Sequence, residues 1–461
     1  MRTLPIAACM LYAATLPALA EDRAEARNMA LAGYSDLQGR SAYQPVIQQQ
    51  DGRWLAYVGH HGGSARNPLT GRSEANGTSV VDVTDPASPR MLHHIPGAPG
   101  QGGSGGAQMA RVCAGSSLPH GLPGHHYLLR TYGNEAHEVW DVTAPDAPRR
   151  IARIDGISGT HKNFWECDSG VAYLVSGVPG WRTRRMTQVV DLGDPAKPRM
   201  VRQFGLPGQQ PGASGAAPVG LHGAISLGAR ANRVYFGHGV NSNGVLQIVD
   251  RRKLLEGLAE PTEANLLDPQ VGRLDLGPDI GAHTTLPLPA MPMPDGSKRD
   301  FVLVVGEAIA DHCRHEPRQM AWMVDVGTEA QPRVVSHFTV PDESGDFCRR
   351  AGRFGTHSSN ESAAAVYYRR VVFLAHFNAG VRAVDVRDPY AMKEVGYYIP
   401  AVNARTEPQC ARGDQGCRPA TQTNNVEVDE RGYIYSVDRA GSGMHILRLT
   451  EDGKKAAGLA P

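Results

Sequence analysis

The chain has 461 residues, with 47 Lys and Arg against 46 Asp and Glu and a formal net charge of +1. Because neither sign of charge dominates, nothing in the composition points to nucleic acid or a membrane surface as a partner. The 53 glycines and 33 prolines are many for a helical protein and favour a turn-rich, all-β fold. After residue 20 no stretch is long and apolar enough to span a bilayer, so we expect no membrane span.

The first 20 residues are typical of a cleavable signal peptide. A short basic start and an apolar segment lead to a small-x-small triplet at residues 18–20. Cys9 lies inside the apolar segment and not at the cleavage point, so we expect no lipid anchor. We therefore predict a signal peptide at 1–20, a single mature domain at 21–461, and a periplasmic or secreted protein.

Six cysteines remain after this segment, an even number that fits disulfide bonding in an oxidising compartment. Sequence proximity favours two pairs and leaves a third; these are Cys313–Cys348, Cys410–Cys417 and Cys113–Cys167, respectively. Other pairings stay open. A cysteine metal site is the weaker alternative, because the chain contains no C-x-x-C pair.

A repeated strand–turn–strand unit organises the chain. It reads "TSVVDVTDPASPRMLHHI" from Thr78, "TQVVDLGDPAKPRMVRQF" from Thr187 and "AWMVDVGTEAQPRVVSHF" from Ala321. The period-two alternation predicts strands, and the Asp-Pro-x-x-Pro segment predicts a turn. The units are anchored at intervals of 59, 50, 59, 75, 60 and 63 residues, on Asp82, Asp141, Asp191, Asp250, Asp325, Asp385 and Arg448.

Two further strand-like runs precede each of these units. Four short antiparallel strands repeated seven times predict an all-β fold, a seven-bladed β-propeller of four-stranded antiparallel blades. The seventh unit has little sequence left for its outer strand. We therefore expect this blade to take an outer strand from the segment that follows Glu21.

The repeat resembles that of the LVIVD-repeat family of exported bacterial β-propellers. The family's unit is an apolar strand with a Val-x-Asp-Val pattern, then an Asp-Pro-x-x-Pro turn and a second strand. Six clear units and one weak unit match, which is nearly the whole mature chain. The resemblance implies the propeller fold and export, but no particular activity, because propellers carry many unrelated functions.

Four Gly-x-His steps stand where inner strands of successive blades begin, at intervals of 61, 61 and 74 residues: His161, His222, His283 and His357. Inner strands line the channel of a propeller, so these imidazoles are expected to meet at one mouth. Imidazole is a common ligand of copper, iron and zinc. The alternative is that each histidine only caps a turn, although separate caps would vary among Ser, Asn, Asp and Thr.

The ends of the second strands are expected at the same mouth. They provide possible additional pocket residues: His60, His61, His238, Glu307 and His376. Glu166, Glu307 and Glu361 are candidate carboxylates for orienting the imidazoles. The segment "DHCRHE" at 311–316 could form a separate metal clip, but its Cys313 is better used in a disulfide.

Two functions are compatible with this pattern. The first is an exported propeller that binds a transition metal (copper, iron or zinc) in a His-lined axial site, with metal-dependent oxidoreductases as the enzyme class that such a site suits. The second is a non-catalytic propeller that binds a protein or glycan partner. No G-x-S-x-G, H-E-x-x-H or phosphate-loop motif is present, so catalytic residues are not assigned and the partner, a small molecule or a protein, is open.

Overall fold

Seven antiparallel sheets follow one another in the described part of the chain, each with four main strands. The structure is a computed structural model that describes residues 23–311, 316–341, 345–410 and 417–460. Consecutive strands pair through hairpins, and neighbouring sheets pack against each other through apolar side chains. The predicted seven-bladed β-propeller is therefore confirmed. The predicted signal peptide, residues 1–20, lies outside the described residues.

The blades are numbered 1 to 7 in chain order. Their inner strands are Ala42–Gln50, Ala110–Ala114, Asn163–Trp165, Leu221–Ser226, Thr284–Pro292, Ser358–Ser359 and Thr423–Val428. Their second strands are Arg53–Gly62, His126–Tyr132, Val171–Ser176, Arg233–His238, Lys298–Val305, Val371–Ala375 and Ile434–Asp438. Their third strands are Gly77–Asp82, Ala136–Asp141, Met186–Asp191, Gly244–Asp250, Ala321–Asp325, Val381–Asp385 and Met444–Leu449. Their outer strands are Arg90–Pro96, Arg149–Ile154, Arg199–Phe204, Gln270–Gly277, Arg333–Phe338, Lys393–Ile399 and Met29–Ser35.

The remaining elements of the described residues are short. The additional strands are Glu25–Arg27, Ser64–Arg66, Ser73–Ala75, Gly102–Ala107, Pro408–Gln409 and Arg418–Pro419. The helical segments are Leu37–Gly39, Gly115–Ser117, Gly228–Ala231, Arg251–Glu256, Glu263–Leu267, Phe347–Arg349 and Glu451–Ala456. None of these helices has the length and apolar character needed to cross a membrane.

The N-terminal segment closes the ring, as the short seventh unit predicted. Met29–Ser35 pairs antiparallel with Met444–Leu449 and forms the outer strand of blade 7. The inner strands of blades 7 and 1 then lie side by side, and the Asn424 side chain donates to the Tyr43 carbonyl across that junction. The sequence did not predict that Glu25–Arg27 also pairs with the outer strand of blade 6.

The aspartates of the repeat stabilise the turns that follow the third strands. Asp82 Oδ1 accepts from the Thr84 amide at 3.0 Å, and Asp191 Oδ1 accepts from the Gly193 amide at 2.8 Å. In the same unit, Arg199 at the start of the outer strand donates to Asp191 at 2.6 Å. The conformation of an Asx turn thus explains why Val-Asp and a later Pro-Arg recur together.

Apolar side chains from neighbouring sheets form the cores between blades. Between blades 2 and 3, Leu129 and Val139 pack against Trp165 and Leu174, and all four are buried. The predicted Cys113–Cys167 disulfide is present and joins the inner-strand regions of these two blades. The predicted Cys410–Cys417 disulfide is also present. The predicted Cys313–Cys348 disulfide stays a prediction, because Cys313 lies outside the described residues.

Removal of the interblade disulfide should destabilise the propeller. We expect the Cys113→Ala, Cys167→Ala double variant to lose about 2–4 kcal/mol of unfolding free energy, because the bridge restricts the unfolded chain over a separation of 54 residues. Urea unfolding of the wild type, with its disulfides intact, and of the variant measures this loss. The Cys410→Ala, Cys417→Ala variant opens a separation of only 7 residues and should lose less. An equal or larger loss in that control would contradict the prediction.

Candidate functional site

The four histidines occupy equivalent positions at the starts of inner strands. The backbone amides of His161, His283 and His357 donate to the carbonyls of Val175, Val305 and Ala375, near the ends of the second strands of their blades. His222 lies in the inner strand of blade 4. It directly follows Leu221, which pairs with His238 at the end of the second strand. The repeat therefore places all four side chains at the same level of the channel.

The four imidazoles contact one another in blade order. The ring centroids are 4.6 Å apart for His161 and His222, 3.6 Å for His222 and His283, and 4.4 Å for His283 and His357. All four residues are at most 9% exposed. The Nε2 atoms of His161 and His222 are 2.8 Å apart. We call these four residues the histidine cluster.

Backbone carbonyls determine which ring nitrogens of two of these histidines are free to bind a ligand. His222 Nδ1 donates to the His283 carbonyl at 3.0 Å, and His357 Nδ1 donates to the Asn424 carbonyl at 2.5 Å. A carbonyl only accepts, so both Nδ1 atoms carry hydrogen and both neutral rings present a lone pair at Nε2. Bonds of this kind orient metal-ligating histidines in known metal sites.

Glu307 adds a carboxylate to the histidine cluster. It follows the second strand of blade 5, and its carboxylate oxygens lie 3.7 Å from His283 Nε2 and 3.6 Å from His357 Nε2. The ligand atoms of His222, His283 and Glu307 all lie within 4.8 Å of one another. Imidazole nitrogens with a carboxylate oxygen form a donor set suited to zinc, iron or copper.

Two ring nitrogens of the histidine cluster have no hydrogen-bond partner in the described part of the chain. His283 Nε2 and His161 Nδ1 are both buried without a hydrogen bond. A buried polar atom without a partner is costly and often marks a functional position. His283 Nε2 faces the Glu307 carboxylate, so this atom is one that a bound ion would satisfy.

Tyr43 is a member of the site that the sequence analysis missed. Its hydroxyl lies 3.2 Å from His161 Nε2, and its ring makes edge contacts with His61 and His357 at centroid distances of 5.1 and 5.7 Å. In blade 1, Ala42 pairs with His60 near the end of the second strand, and Tyr43 is the next residue. In blade 4, Leu221 pairs with His238 in the same way, and His222 is the next residue. Because blade 1 has no Gly-x-His step, only an alignment of the paired strands would have revealed the equivalence.

His60 and His61 belong to the same strand and point in opposite directions. His61 reaches the mouth of the channel, where it contacts Tyr43, and its Nδ1 lies 3.2 Å from Ser41 Oγ. His60 instead lies with its Nε2 2.8 Å from Ser79 Oγ, inside blade 1. The alternation of side chains along a strand permits only one of two consecutive residues to face the axis. The placement of His60 in the pocket is therefore corrected.

His238 and His376 also lie away from the histidine cluster. His238 Nε2 is 3.3 Å from the side-chain oxygen of Gln247 on the adjacent third strand. The ring of His376 packs against Phe354 at a centroid distance of 5.1 Å. The sequence placed these residues at the correct end of their second strands, but it did not show which face of the sheet each side chain occupies. Both are corrected as pocket residues.

The predicted orienting role of Glu166 and Glu361 is also corrected. Glu166 forms an ion pair with Arg251 at 2.6 Å, away from the histidine cluster. Glu361 forms a buried ion pair with Lys162 at 2.7 Å and a second one with Arg111. Backbone carbonyls orient His222 and His357 instead. Glu307, the third predicted carboxylate, is the one that faces the imidazoles.

A chain of buried polar groups connects Glu361 to the histidine cluster. Lys162 Nζ donates to Thr284 Oγ1 at 3.3 Å, and this hydroxyl lies 2.9 Å from His283 Nδ1. Burial alone would raise the pKa of Glu361, but the charges and hydrogen bonds of Lys162 and Arg111 lower it to about 2. Glu361 is therefore a carboxylate at neutral pH, and its charge balances part of the cationic surroundings of the cluster.

The four imidazoles are neutral over the whole physiological pH range. Burial lowers the pKa of His161, His222, His283 and His357 well below its usual value, and the positive charge of Lys162 adds to this effect at each ring. Burial raises the pKa of Glu307, although nearby arginines act in the opposite direction. Neutral imidazole is the form that binds metal ions, so no proton has to leave these rings first.

Glu427 should make the unfolding free energy depend on pH. Burial raises its pKa to about 7, with the Glu361 charge also raising it, although it accepts hydrogen bonds from two backbone amides. The folded protein therefore holds a proton that the unfolded chain releases near its usual pKa, so stability should fall as pH rises from about 4.5 to 7. The slope contributed is up to about 1.4 kcal/mol per pH unit.

The Glu427→Gln variant tests this dependence, because its side chain does not titrate. Urea unfolding at pH 5, 6, 7 and 8 should show a shallower decline of stability for this variant than for the wild type. As a control, Glu430→Gln changes an exposed carboxylate of the following turn and should leave the slope unchanged. Parallel curves for wild type and Glu427→Gln would contradict the assignment.

No model of a known protein family matches the sequence, and no curated protein matches it. Among solved structures, Sqt1 from Saccharomyces cerevisiae is similar with a TM-score of 0.47 and 7% identity over 92% of this chain and 88% of that one. Sqt1 from Chaetomium thermophilum gives a TM-score of 0.49 and 12% identity over 91% and 98%. A chain of the mitotic checkpoint complex gives 0.47 and 10% over 98% and 99%. These likenesses carry no argument about function.

The fold and the site define a seven-bladed β-propeller with histidines from four successive blades gathered at one channel mouth.

Proposed function

We propose that this protein binds one transition-metal ion, copper, iron or zinc, at the channel mouth. The ligands would be the Nε2 atoms of His222 and His283 and the carboxylate of Glu307, with His161 and His357 beside them as further donors. The observation that carries the proposal is the fixed orientation of the rings. His222 and His357 each use Nδ1 on a backbone carbonyl, which leaves Nε2 as a lone pair directed into the cluster.

The contact between His161 and His222 supports the same proposal. Their Nε2 atoms are 2.8 Å apart, and the His222 nitrogen is a lone pair because its Nδ1 already donates. The Tyr43 hydroxyl can also donate to His161 Nε2, at 3.2 Å. In the His161 tautomer that accepts from Tyr43, two lone pairs face each other at this distance and repel, and a positive charge shared between them removes the repulsion. A metal ion satisfies both nitrogens at once.

The consequences for activity depend on the ion. Copper or iron would supply one-electron redox chemistry at the channel mouth, and zinc would supply a Lewis acid.

We also propose that the protein is exported by the segment at 1–20, with which its two described disulfides are compatible. Membership of the LVIVD-repeat family stays a prediction.

The second candidate function is a non-catalytic propeller that binds a protein or glycan partner. One observation favours it: the histidine cluster can satisfy part of its hydrogen bonding without an ion, through a His161–His222 bond and the two carbonyl contacts. In that case the cluster is a structural plug of the channel. The two candidates differ in one measurable property, which is the retention of metal.

Metal titration tests the proposal. The chelator-treated protein is titrated with Zn²⁺, Cu⁺ and Fe²⁺ in separate experiments against a chromophoric competitor, and thermal unfolding is followed in parallel. We expect at least one ion to bind with a stoichiometry of one per chain and to raise the unfolding temperature, because only the folded state brings the ligands together. Absence of one-to-one binding for all three ions would favour the non-catalytic propeller.

A further inference from the structure

Three arginines from different parts of the ring surround the histidine cluster. Arg185 precedes the third strand of blade 3, and its Nε donates to the carbonyl of Gly159, two residues before the cluster begins. Arg353 lies before the inner strand of blade 6, and its Nη1 is 3.3 Å from Glu307 Oε1. Arg439 directly follows the second strand of blade 7. All three therefore lie at the face of the propeller where the cluster lies.

Two of these arginines keep hydrogen-bond donors unused. Throughout the described ranges, the guanidinium of Arg439 forms no hydrogen bond or ion pair, and the two Nη atoms of Arg185 form none either. Both side chains are only partly exposed. Elsewhere, the buried Arg130 is paired with Glu138 at 2.8 Å. A partly enclosed guanidinium with unused donors is costly in general.

The charges at the mouth are unbalanced in the positive direction. Burial lowers the pKa of Arg439 to about 10, and Arg353 lowers it further by repulsion, while Glu307 acts in the opposite direction. Burial raises the pKa of the Tyr43 phenol, and the positive charges of Arg185 and Arg439 both oppose this shift. Three guanidinium groups therefore stand against two buried carboxylates, Glu307 and Asp438, and Glu307 already contacts Arg353.

We propose that Arg185 and Arg439 bind the anionic group of a small molecule, a carboxylate, sulfate or phosphate, beside the histidine cluster. Guanidinium groups present paired N–H donors that match such oxyanions. The inference deepens the proposed function, because it names the class of substrate. As a substrate site, the anion site rests on the proposed metal site. The anion contacts themselves use no metal ligand. Tyr43 and the Glu307–Arg353 pair would form the sides of the same mouth.

Binding of simple anions tests this inference. Sodium sulfate, sodium phosphate and sodium acetate are titrated at constant ionic strength into chelator-treated and Zn²⁺-treated protein, with heat of binding as the readout. We expect saturable binding of at least one anion, one per chain. Arg439→Gln and Arg185→Gln should each weaken it about 10- to 100-fold, the loss expected for a charge-assisted hydrogen bond of about 1.5–3 kcal/mol.

Arg184→Gln is the matched control, because Arg184 is the exposed neighbour of Arg185 in the chain. It should change the affinity less than twofold, and thermal unfolding should show that all three variants stay folded. Comparison of the three anions identifies which oxyanion geometry the site prefers. Absence of saturable binding in both protein forms would overturn the inference, as would equal affinities for wild type and Arg439→Gln.

The outcome is separable from that of the metal proposal. If anions bind to the chelated wild type and no metal ion binds, the anion site stands and the proposed function fails. If a metal ion binds one per chain and no anion binds in either form, the proposed function stands and the arginine site is overturned.

Discussion

His222→Phe is expected to lower the affinity of the protein for its metal ion at least about 100-fold. His222 is at the centre of the histidine cluster, with its Nε2 2.8 Å from that of His161 and its ring 3.6 Å from the ring of His283. Phenylalanine retains an aromatic ring of similar size but has no lone pair. Loss of even an orienting partner costs 10- to 100-fold in metal sites, and loss of a ligand costs more.

The matched control is His238→Phe. His238 lies in the same blade as His222, is equally buried, and uses its Nε2 on Gln247 instead of on the cluster. Both variants are titrated with the same ion against the same competitor, and both are checked by urea unfolding. The prediction requires that metal affinity fall in His222→Phe and stay within about threefold of the wild type in His238→Phe. Equal losses in the two variants would show that stability, and not ligation, had been measured.

Lys162→Met is expected to reduce the free energy of unfolding by about 3–5 kcal/mol. The side chains of Lys162 and Glu361 are each 4% exposed, and their charges are 2.7 Å apart. Removal of Lys162 breaks this buried ion pair and leaves the Glu361 charge in a low-dielectric environment with Arg111 as its remaining partner among the described residues.

The double variant Lys162→Met, Glu361→Gln provides the internal control, since it removes both charges of the pair and should recover part of the loss. Lys197→Met provides the external control. Lys197 is 83% exposed and pairs with Asp194 at 3.1 Å, so its replacement should cost less than about 1 kcal/mol. Urea unfolding at pH 7 measures all of these. A loss in Lys162→Met no larger than that in Lys197→Met would contradict the account of a buried ion pair.

The fold could be predicted because the repeat has a local physical cause. Six of the seven units end the third strand in an aspartate, and in the first and third units its side chain accepts from a backbone amide of the next turn. The Val-Asp pattern therefore recurs where that turn is built. The missing outer strand of blade 7 could be predicted by counting strands, and Met29–Ser35 supplies it. The pairing of Glu25–Arg27 with blade 6 could not, because a three-residue edge strand has no sequence pattern of its own.

The candidate site was only partly predictable. His161, His222, His283 and His357 begin equivalent strands, so their proximity follows from the repeat alone. The second strands end at the same mouth, but a strand directs alternate residues to opposite faces, and the sequence does not fix the register. Glu307 and His61 therefore reach the channel mouth, while His60 and His238 do not.

Tyr43 and the arginines were missed for a different reason. They share no motif with the histidines, and they come together only when the seven blades close into a ring. Tyr43 occupies the equivalent of a histidine position in blade 1. Arg185 and Arg439 lie at the ends of strands whose neighbours in space are far apart in the chain.

Anomalous diffraction from crystals of the metal-loaded protein, recorded on both sides of the absorption edge of the ion, tests the metal site most directly. We predict one peak about 2.0–2.2 Å from the Nε2 atoms of His222 and His283 and from a Glu307 oxygen. Absence of a peak at the histidine cluster, with the ion either missing or bound elsewhere, would contradict the proposal and identify the cluster as structural.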